Sequence, residues 1–245
     1  MSSRHFQFKE HDAEGLETLQ AIKEANRFNK WMYDQIAPFI SSPVLEVGSG
    51  IGNISFYCMK EGHQLMMTDI RQEYLDFLNE RFFEQTTPIR HLDLVEESFE
   101  ETNKDLLGSF QTVFALNVIE HIENEQLAIR NAAKLLASGG RLIILVPAHP
   151  LLYNKLDKNL FHYKRYHSRD LKRLMNNELM ELQSLKWFNG LGIAAWLYGG
   201  MVSRKGVIGG GDMKLYNKLV PLAKWMDRLT FFRIGLSIIG VSRKK

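Results

Sequence analysis

The period of hydrophobic positions changes several times along the chain, and each change marks a boundary between elements. Apolar runs of strand length occur at 43–47, 64–68, 88–92, 111–116 and 141–146. Between them, 53–61, 71–83 and 123–136 repeat near the helical period, and a poorly defined helix falls within 96–108. Beyond the fifth run, Ser168 heads a helix at 169–176, a sixth strand falls at 182–188, and 237–242 alternates well enough for a last strand. Strands and helices in strict alternation predict an α/β fold with a parallel sheet and helices on both faces. Ahead of the first strand, Leu16, Leu19 and Ile22, then Phe28, Trp31, Met32, Ile36 and Phe39, predict a helical extension over 16–40, weakened at Pro38.

The punctuation between these elements carries the chemistry. Val44 to Gly52 reads as a buried strand running into Gly48, Gly50 and Gly52 at alternate positions. Such a loop turns tightly and lies against a ligand with no β-carbon in the way. Asn53 is placed to cap the following helix, whose free amides would face the same ligand. Glu46, Asp69, Asp93 and Asn117 follow or end four successive strand runs at separations of 23, 24 and 24 residues. That is about the length of one strand–helix unit, so the four should line the carboxyl edge of one sheet, where open α/β folds bind ligands.

Nearly fifty residues separate the last two strands, too many for a loop without structure of its own. Residues 190–202 are apolar but too short to span a bilayer. Gly209-Gly210-Gly211 reads as a joint. Leu215, Leu219, Leu222, Met226 and Leu229 then form the apolar face of a helix that Pro221 would kink. A substrate cover, a membrane-surface element and a dimer face all fit this insertion. Charge is divided: residues 1–150 hold 13 Lys and Arg against 22 Asp and Glu, and residues 151–245 hold 18 against 6. The basic third suits an anionic partner (a phosphorylated substrate, anionic lipid or nucleic acid) or serves as a solubilising surface. One cysteine, Cys58, excludes an internal disulfide and reads as core. The first residues lack a signal-peptide apolar region, so a cytoplasmic setting is expected, with peripheral contact with an anionic membrane as its possible extension.

Taken in order, Glu-x-Gly-x-Gly-x-Gly at 46–52, Thr68-Asp69, Asp93-Leu94, Asn117-Val118-Ile119-Glu120-His121-Ile122 and Leu136-Ala137-Ser138-Gly139-Gly140-Arg141 resemble the class I S-adenosylmethionine-dependent methyltransferases over residues 25–185. Gly190-Leu191-Gly192 and Phe161-His162-Tyr163-Lys164-Arg165-Tyr166 resemble a bacterial subgroup associated with glycosyltransferases and lipid-linked sugar pathways. The resemblance implies a Rossmann-like, seven-stranded, mostly parallel sheet whose last strand is antiparallel. It divides one domain into a helical extension or lid at 1–42, a core at 43–188, a substrate cover at 189–235 and a last strand at 236–245. In such a lid Trp31 and Tyr33 would cover the cofactor; plain packing is the competing reading of the same stripe.

The implied cofactor is S-adenosyl-L-methionine, leaving as S-adenosyl-L-homocysteine. Gly48, Ser49, Gly50 and Gly52 would pass its methionine and ribose parts, with Glu46 orienting the loop. Asp69, next to Ile70, would accept the ribose hydroxyls, two carboxylate oxygens suiting a vicinal diol. Asp93 and the Leu94 amide would meet the adenine, and Asn117 and Val118 the methionine end. His149 and His162 are the candidate proton acceptors. Tyr153, Tyr163, Arg165 and Tyr166 are the candidate acceptor contacts, Arg165 through a bidentate pair with phosphate or carboxylate. His121 reads as wall or local structure, and no metal is expected. The expected reaction is methyl transfer to oxygen of a small-molecule or lipid- or glycan-linked acceptor. Rivals are a nicotinamide oxidoreductase, disfavoured because G-x-G-x-G replaces G-x-G-x-x-G, a nucleic-acid methyltransferase or binder, and a scaffold that binds no cofactor.

Overall fold

A computed structural model of the chain describes residues 13–201 and 210–245. The amino-terminal residues and Gly209 lie outside the described residues. Seven strands form one sheet: β1 (Val44–Val47), β2 (Leu65–Asp69), β3 (Ile89–His91), β4 (Phe110–Leu116), β5 (Leu136–Pro147), β6 (Met180–Phe188) and β7 (Ser237–Lys244). Their order is β3-β2-β1-β4-β5-β7-β6, with β7 antiparallel to both neighbours and the remaining neighbouring pairs parallel. The helices are α1 (Ala13–Lys23), α2 (Asn26–Ile36), α3 (Ser55–Lys60), α4 (Gln72–Arg81), α5 (Phe99–Thr102), α6 (Glu125–Leu135), α7 (Lys155–Asn159), α8 (Ser168–Met175), α9 (Leu191–Met201) and α10 (Gly210–Leu229).

Strand alternation sorts the apolar residues onto two faces. Leu45, Val47, Val113, Ala115, Leu142, Ile144 and Val146 pack with Ala128, Ala132, Leu171 and Met175 of α6 and α8. Val44, Phe114, Ile143, Leu145 and Ile239 face the other way, onto Met32, Ile36, Cys58, Leu78, Val220 and Ala223. A sheet covered on both faces needs near-continuous apolar strands, which is why β1, β4 and β5 read as unbroken runs. Cys58 is fully buried among them, and burial pushes its thiol up to about 12.

Of the two readings of the aromatic stripe, plain packing holds: Trp31 packs on Phe188 with ring centroids 4.5 Å apart, and Tyr33 stacks on Tyr57, both in the core. Several other expectations need correction. The first crossover helix begins at Ser55, two residues late, because residues 51–54 form a turn. Ser168 is the first residue of α8, whose cap is His167. Pro221 lies within a helix that runs unbroken to Leu229, and Gly210 and Gly211 are part of its first turn. The larger surprise is the side that α10 turns inward. Met213, Val220, Ala223 and Asp227 are buried, while Leu215, Leu219, Leu222 and Leu229 of the predicted apolar face are exposed.

Candidate functional site

The strand order reverses between β1 and β4, so the loops leaving these two strands diverge and open a crevice at the carboxyl edge. Gly48, Gly50 and Gly52 all take left-handed backbone, with φ of 68°, 55° and 77°. A β-carbon at Gly48 would stand 2.5 Å from Val118 Cγ2, so the β1 and β4 loops meet there. One at Gly52 would stand 2.4 Å from the Phe82 ring. The Glu46 carboxylate is buried and accepts the Ser55 hydroxyl, tying the strand to α3. Burial pushes it up to about 8, against hydrogen bonds from Ser55 and Ser49 that favour ionisation. Thr68 Oγ1 donates to the Glu46 carbonyl at 2.7 Å and holds β1 and β2 at the same height.

Asp69 ends β2 with its carboxylate turned back to the loop. Oδ2 accepts the Gly50 amide at 2.9 Å and Oδ1 the Arg71 amide at 3.0 Å. Burial raises its pKa, and the backbone donors of Arg71, Gly50 and Ile70 oppose that rise. Asp93 is half-buried and accepts the Val95 amide at 2.9 Å, a local turn that shapes the 93–95 loop. Leu94 points its side chain into the core, and its carbonyl accepts Asn131 Nδ2 from α6 at 2.9 Å. Asn117 is exposed with φ of 55°. Asn131 went unnoticed in the sequence because a buried asparagine on a helix has no local signature.

Helix α1 covers the glycine loop. Leu19 Cδ1 lies 3.0 Å from where a Gly50 β-carbon would be, and Asn53 donates from Nδ2 to the Leu19 carbonyl at 3.0 Å. Asn53 therefore fastens α1 to the loop and does not cap α3. Arg81 of α4 donates to the Ile51 carbonyl from the other side. Neither Leu19 nor Arg81 was readable as a site residue, since both act through long-range packing.

On the acceptor side, the segment after β4 folds against the one after β5. His149 (φ 59°) stacks on Trp187 with centroids 4.8 Å apart, and its Nε2 lies 3.1 Å from the Gly235 carbonyl. Burial lowers its pKa. His162 Nδ1 pairs with Asp157 at 2.9 Å, and its ring meets that of His121 edge-on at 4.8 Å. Arg165 is buried: Nε donates to Asp157 at 2.8 and 3.0 Å, Nη1 to the Ala148 carbonyl at 3.1 Å, and the guanidinium lies 4.3 Å from the Trp196 ring. The guanidinium that a substrate anion was expected to occupy is thus bound by Asp157. Tyr166 is also interior, with its hydroxyl donating to Glu125 at 2.7 Å. Tyr153 donates to the His162 carbonyl at 2.7 Å, and Tyr163 is exposed.

Glu120 sits in the middle of this group. Both its carboxylate oxygens are buried without a hydrogen-bond partner, and burial pushes the group up to about 7 despite the nearby charges of His162 and Arg165. Burial and the charge of His162 pull His121 down to about 3, leaving it neutral. Glu120, His121 and His162 present ligand atoms within 4.8 Å of one another, a set able to hold a metal ion. That differs from the expectation of no metal, because residues 120–121 and 162 come together only in the folded chain.

Residues 45–142 match a family described as a methyltransferase domain. A ubiquinone biosynthesis O-methyltransferase from Xanthomonas oryzae is 29% identical over 101 residues, 41% of this chain and 41% of that protein. Among solved structures, a Bacillus halodurans putative methyltransferase superposes with TM-score 0.58 at 18% identity, covering 87% of this chain and 97% of that one. A Haemonchus contortus phosphoethanolamine N-methyltransferase 2 in complex with S-adenosyl-L-methionine gives TM-score 0.58 at 16% identity, covering 89% and 52%. The chain therefore has the Rossmann-like fold of S-adenosylmethionine-dependent methyltransferases, and its residues 45–142 resemble a methyltransferase domain. It spans about two fifths of the length of the curated relative.

The residues of this rim fit S-adenosyl-L-methionine. The glycine loop offers backbone without β-carbons, and what lies over Gly50 is one aliphatic side chain, Leu19. Acidic groups stand at the ends of β2 and just beyond β3, with Asp69 paired in register to His91. S-adenosyl-L-methionine supplies a methyl group on a positively charged sulfur, and these carboxylates are suited to the hydroxyl and amino donors of its nucleoside.

Proposed function

We propose that the protein transfers a methyl group from S-adenosyl-L-methionine to an oxygen of a small-molecule or lipid- or glycan-linked acceptor. The observation that carries this reading is the His162–Asp157 pair beside Glu120, which follows two residues after Val118, the side chain packed against Gly48. A carboxylate on Nδ1 fixes the ring and supports proton acceptance at Nε2, the service that an alcohol or phenol of high pKa requires. Arg165 holds Asp157 in place and completes the support. The relationship to O-methyltransferases of ubiquinone biosynthesis supports oxygen as the accepting atom.

In this reading the residues divide by task. Asp69, Asp93 and the glycine loop hold the nucleoside, Val118 and Asn117 border the sulfonium, and His162 takes the acceptor proton. His149 is a wall residue, committed to Trp187 and Gly235. Holding the two reactants in line contributes up to about 7–11 kcal/mol, so catalysis needs no covalent intermediate.

The test is calorimetry with S-adenosyl-L-homocysteine and with NAD, followed by a screen of phenols, hydroxylated lipids and glycans with labelled cofactor. Binding of the homocysteine and label on oxygen are expected. NAD binding alone would overturn the reading, and label on nitrogen or nucleic acid would reassign the acceptor.

A further inference from the structure

The segment between β6 and β7 exposes apolar side chains that a soluble α/β domain has no reason to show. Helix α9 carries no charged residue and is apolar around its whole circumference, a composition that belongs in a core. Yet Leu197 and Tyr198 are exposed. In α10 the pattern is inverted, with Leu215, Leu219, Leu222 and Leu229 at helical spacing along the outward side and Met226 half-buried among them. Leu222 is 47% exposed, and Trp225 beside the row is 57% exposed. The row continues into the turn after the helix, where Phe231 is 80% exposed.

That turn is held open at a cost. Phe231 and Phe232 both adopt left-handed backbone, at φ of 51° and 54°, a conformation that bulky residues take only when surroundings impose it. The imposition is visible: Phe232 donates its amide to the Asp227 carbonyl at 2.8 Å and accepts the Trp187 amide at 3.0 Å. Asp227 is itself buried, its carboxylate accepting the amides of Asn189 and Gly190 at 2.7 Å each. The ridge is therefore locked to the end of β6, on the same sheet edge as His149, whose Nε2 meets the Gly235 carbonyl.

Charge decides what covers it. Lys214, Lys218, Arg228 and Arg233 are exposed along or beside the ridge, and the acidic groups of α10 are the terminal Asp212 and the buried Asp227. A two-fold contact between copies of this chain would set one row of cations against another. An anionic bilayer offers the opposite charge and an apolar interior together, the combination that holds amphipathic helices in an interface. No helix among the described residues is long and apolar enough to cross a membrane, so the element lies on the surface.

We propose that the outward ridge of α10 and the turn at 230–234 is a docking surface for an anionic lipid bilayer, from which the crevice receives a membrane-resident acceptor. The second half rests on the methyltransferase reading above; the docking surface does not. Co-sedimentation of the full chain with phosphatidylcholine vesicles, with and without phosphatidylglycerol, tests it. Binding should be at least about tenfold stronger with phosphatidylglycerol and should weaken in high salt. Leu222→Glu with Trp225→Glu should lower it at least about tenfold, as should Lys214→Glu with Lys218→Glu, while calorimetric binding of S-adenosyl-L-homocysteine is unchanged. Absent or lipid-independent binding would overturn the docking surface even where the homocysteine still binds. A dimer in sedimentation that Leu222→Glu with Trp225→Glu dissolves would overturn it in favour of a second copy. Loss of homocysteine binding in the unmodified chain would instead strike the methyltransferase reading.

Discussion

Asp69 accepts the backbone amide of Gly50 at 2.9 Å, so the acidic end of β2 and the middle of the glycine loop are one unit. In the proposed function the same carboxylate also accepts the ribose hydroxyls, and these two duties predict a particular defect. On that reading Asp69→Ala removes both the loop tie and the ribose acceptor. Hydrogen bonds to a charged group contribute about 1.5–3 kcal/mol, so S-adenosyl-L-homocysteine should bind about tenfold to a hundredfold more weakly. Calorimetry checks this, and unchanged affinity would remove Asp69 from the site.

Gly52 combines left-handed backbone with a close neighbour. Its φ is 77°, and an added β-carbon would press on the Phe82 ring and on Leu78. Gly62 has a φ of 82° and open space around it. Gly52→Ala should cost about 1–3 kcal/mol, lowering Tm by about 2–4 °C for each kcal/mol, and more than Gly62→Ala. Equal Tm values for the two variants would show that Phe82 yields freely and that only the backbone conformation matters.

What was readable in advance follows from how far apart the determinants lie. Gly48 to Gly52 follow β1, Asp69 ends β2 and Asp93 lies two residues beyond β3, so local order alone put them on one rim. The Glu120, Asp157, His162 and Arg165 group spans more than forty residues and depends on the β5 return and the capping box of α7. No local pattern announces it, and Arg165 therefore looked free for a substrate anion. For α10 the periodicity was sound but insufficient. Leu215 to Leu229 define an apolar stripe, and Met213, Val220 and Ala223 define another, smaller in side-chain volume, with Val220 and Ala223 set against the sheet and Met213 against α1. Packing chose the smaller one.

Glu120 gives a pH dependence whose sign follows from burial. Its ordinary pKa is 4.5, and the folded value is about 7, raised by desolvation. A raised carboxyl contributes stability that is present in full below about pH 4.5 and is lost as pH rises through about 7. The difference corresponds to about 3 kcal/mol, as an order of magnitude. Glu120→Gln keeps the neutral shape and should flatten this part of the profile, with its largest relative gain above about pH 7. Urea unfolding at about pH 5 and about pH 8 measures it. Parallel profiles for the two proteins would mean that Glu120 is ionised in the folded state at both pH values.

The two histidines separate by what holds them. His149 lies flat on Trp187 and its Nε2 faces the Gly235 carbonyl, so His149→Ala removes a packed ring and should act mainly on stability, by about 1–2 kcal/mol. His162 is held at Nδ1 by Asp157, which in turn is gripped by Arg165, and in the proposed function its other nitrogen takes the acceptor proton. Loss of a proton acceptor costs about a hundredfold to ten-thousandfold in rate. His162→Ala should therefore lower kcat by that amount with little change in S-adenosyl-L-homocysteine affinity. Asp157→Asn is the sharper test, because it keeps the size of the group while weakening its hold on His162. It should lower kcat and displace the acidic limb of the pH–rate profile, which a purely structural role would leave in place. An unchanged profile would return His162 to the wall and leave placement alone to carry the reaction.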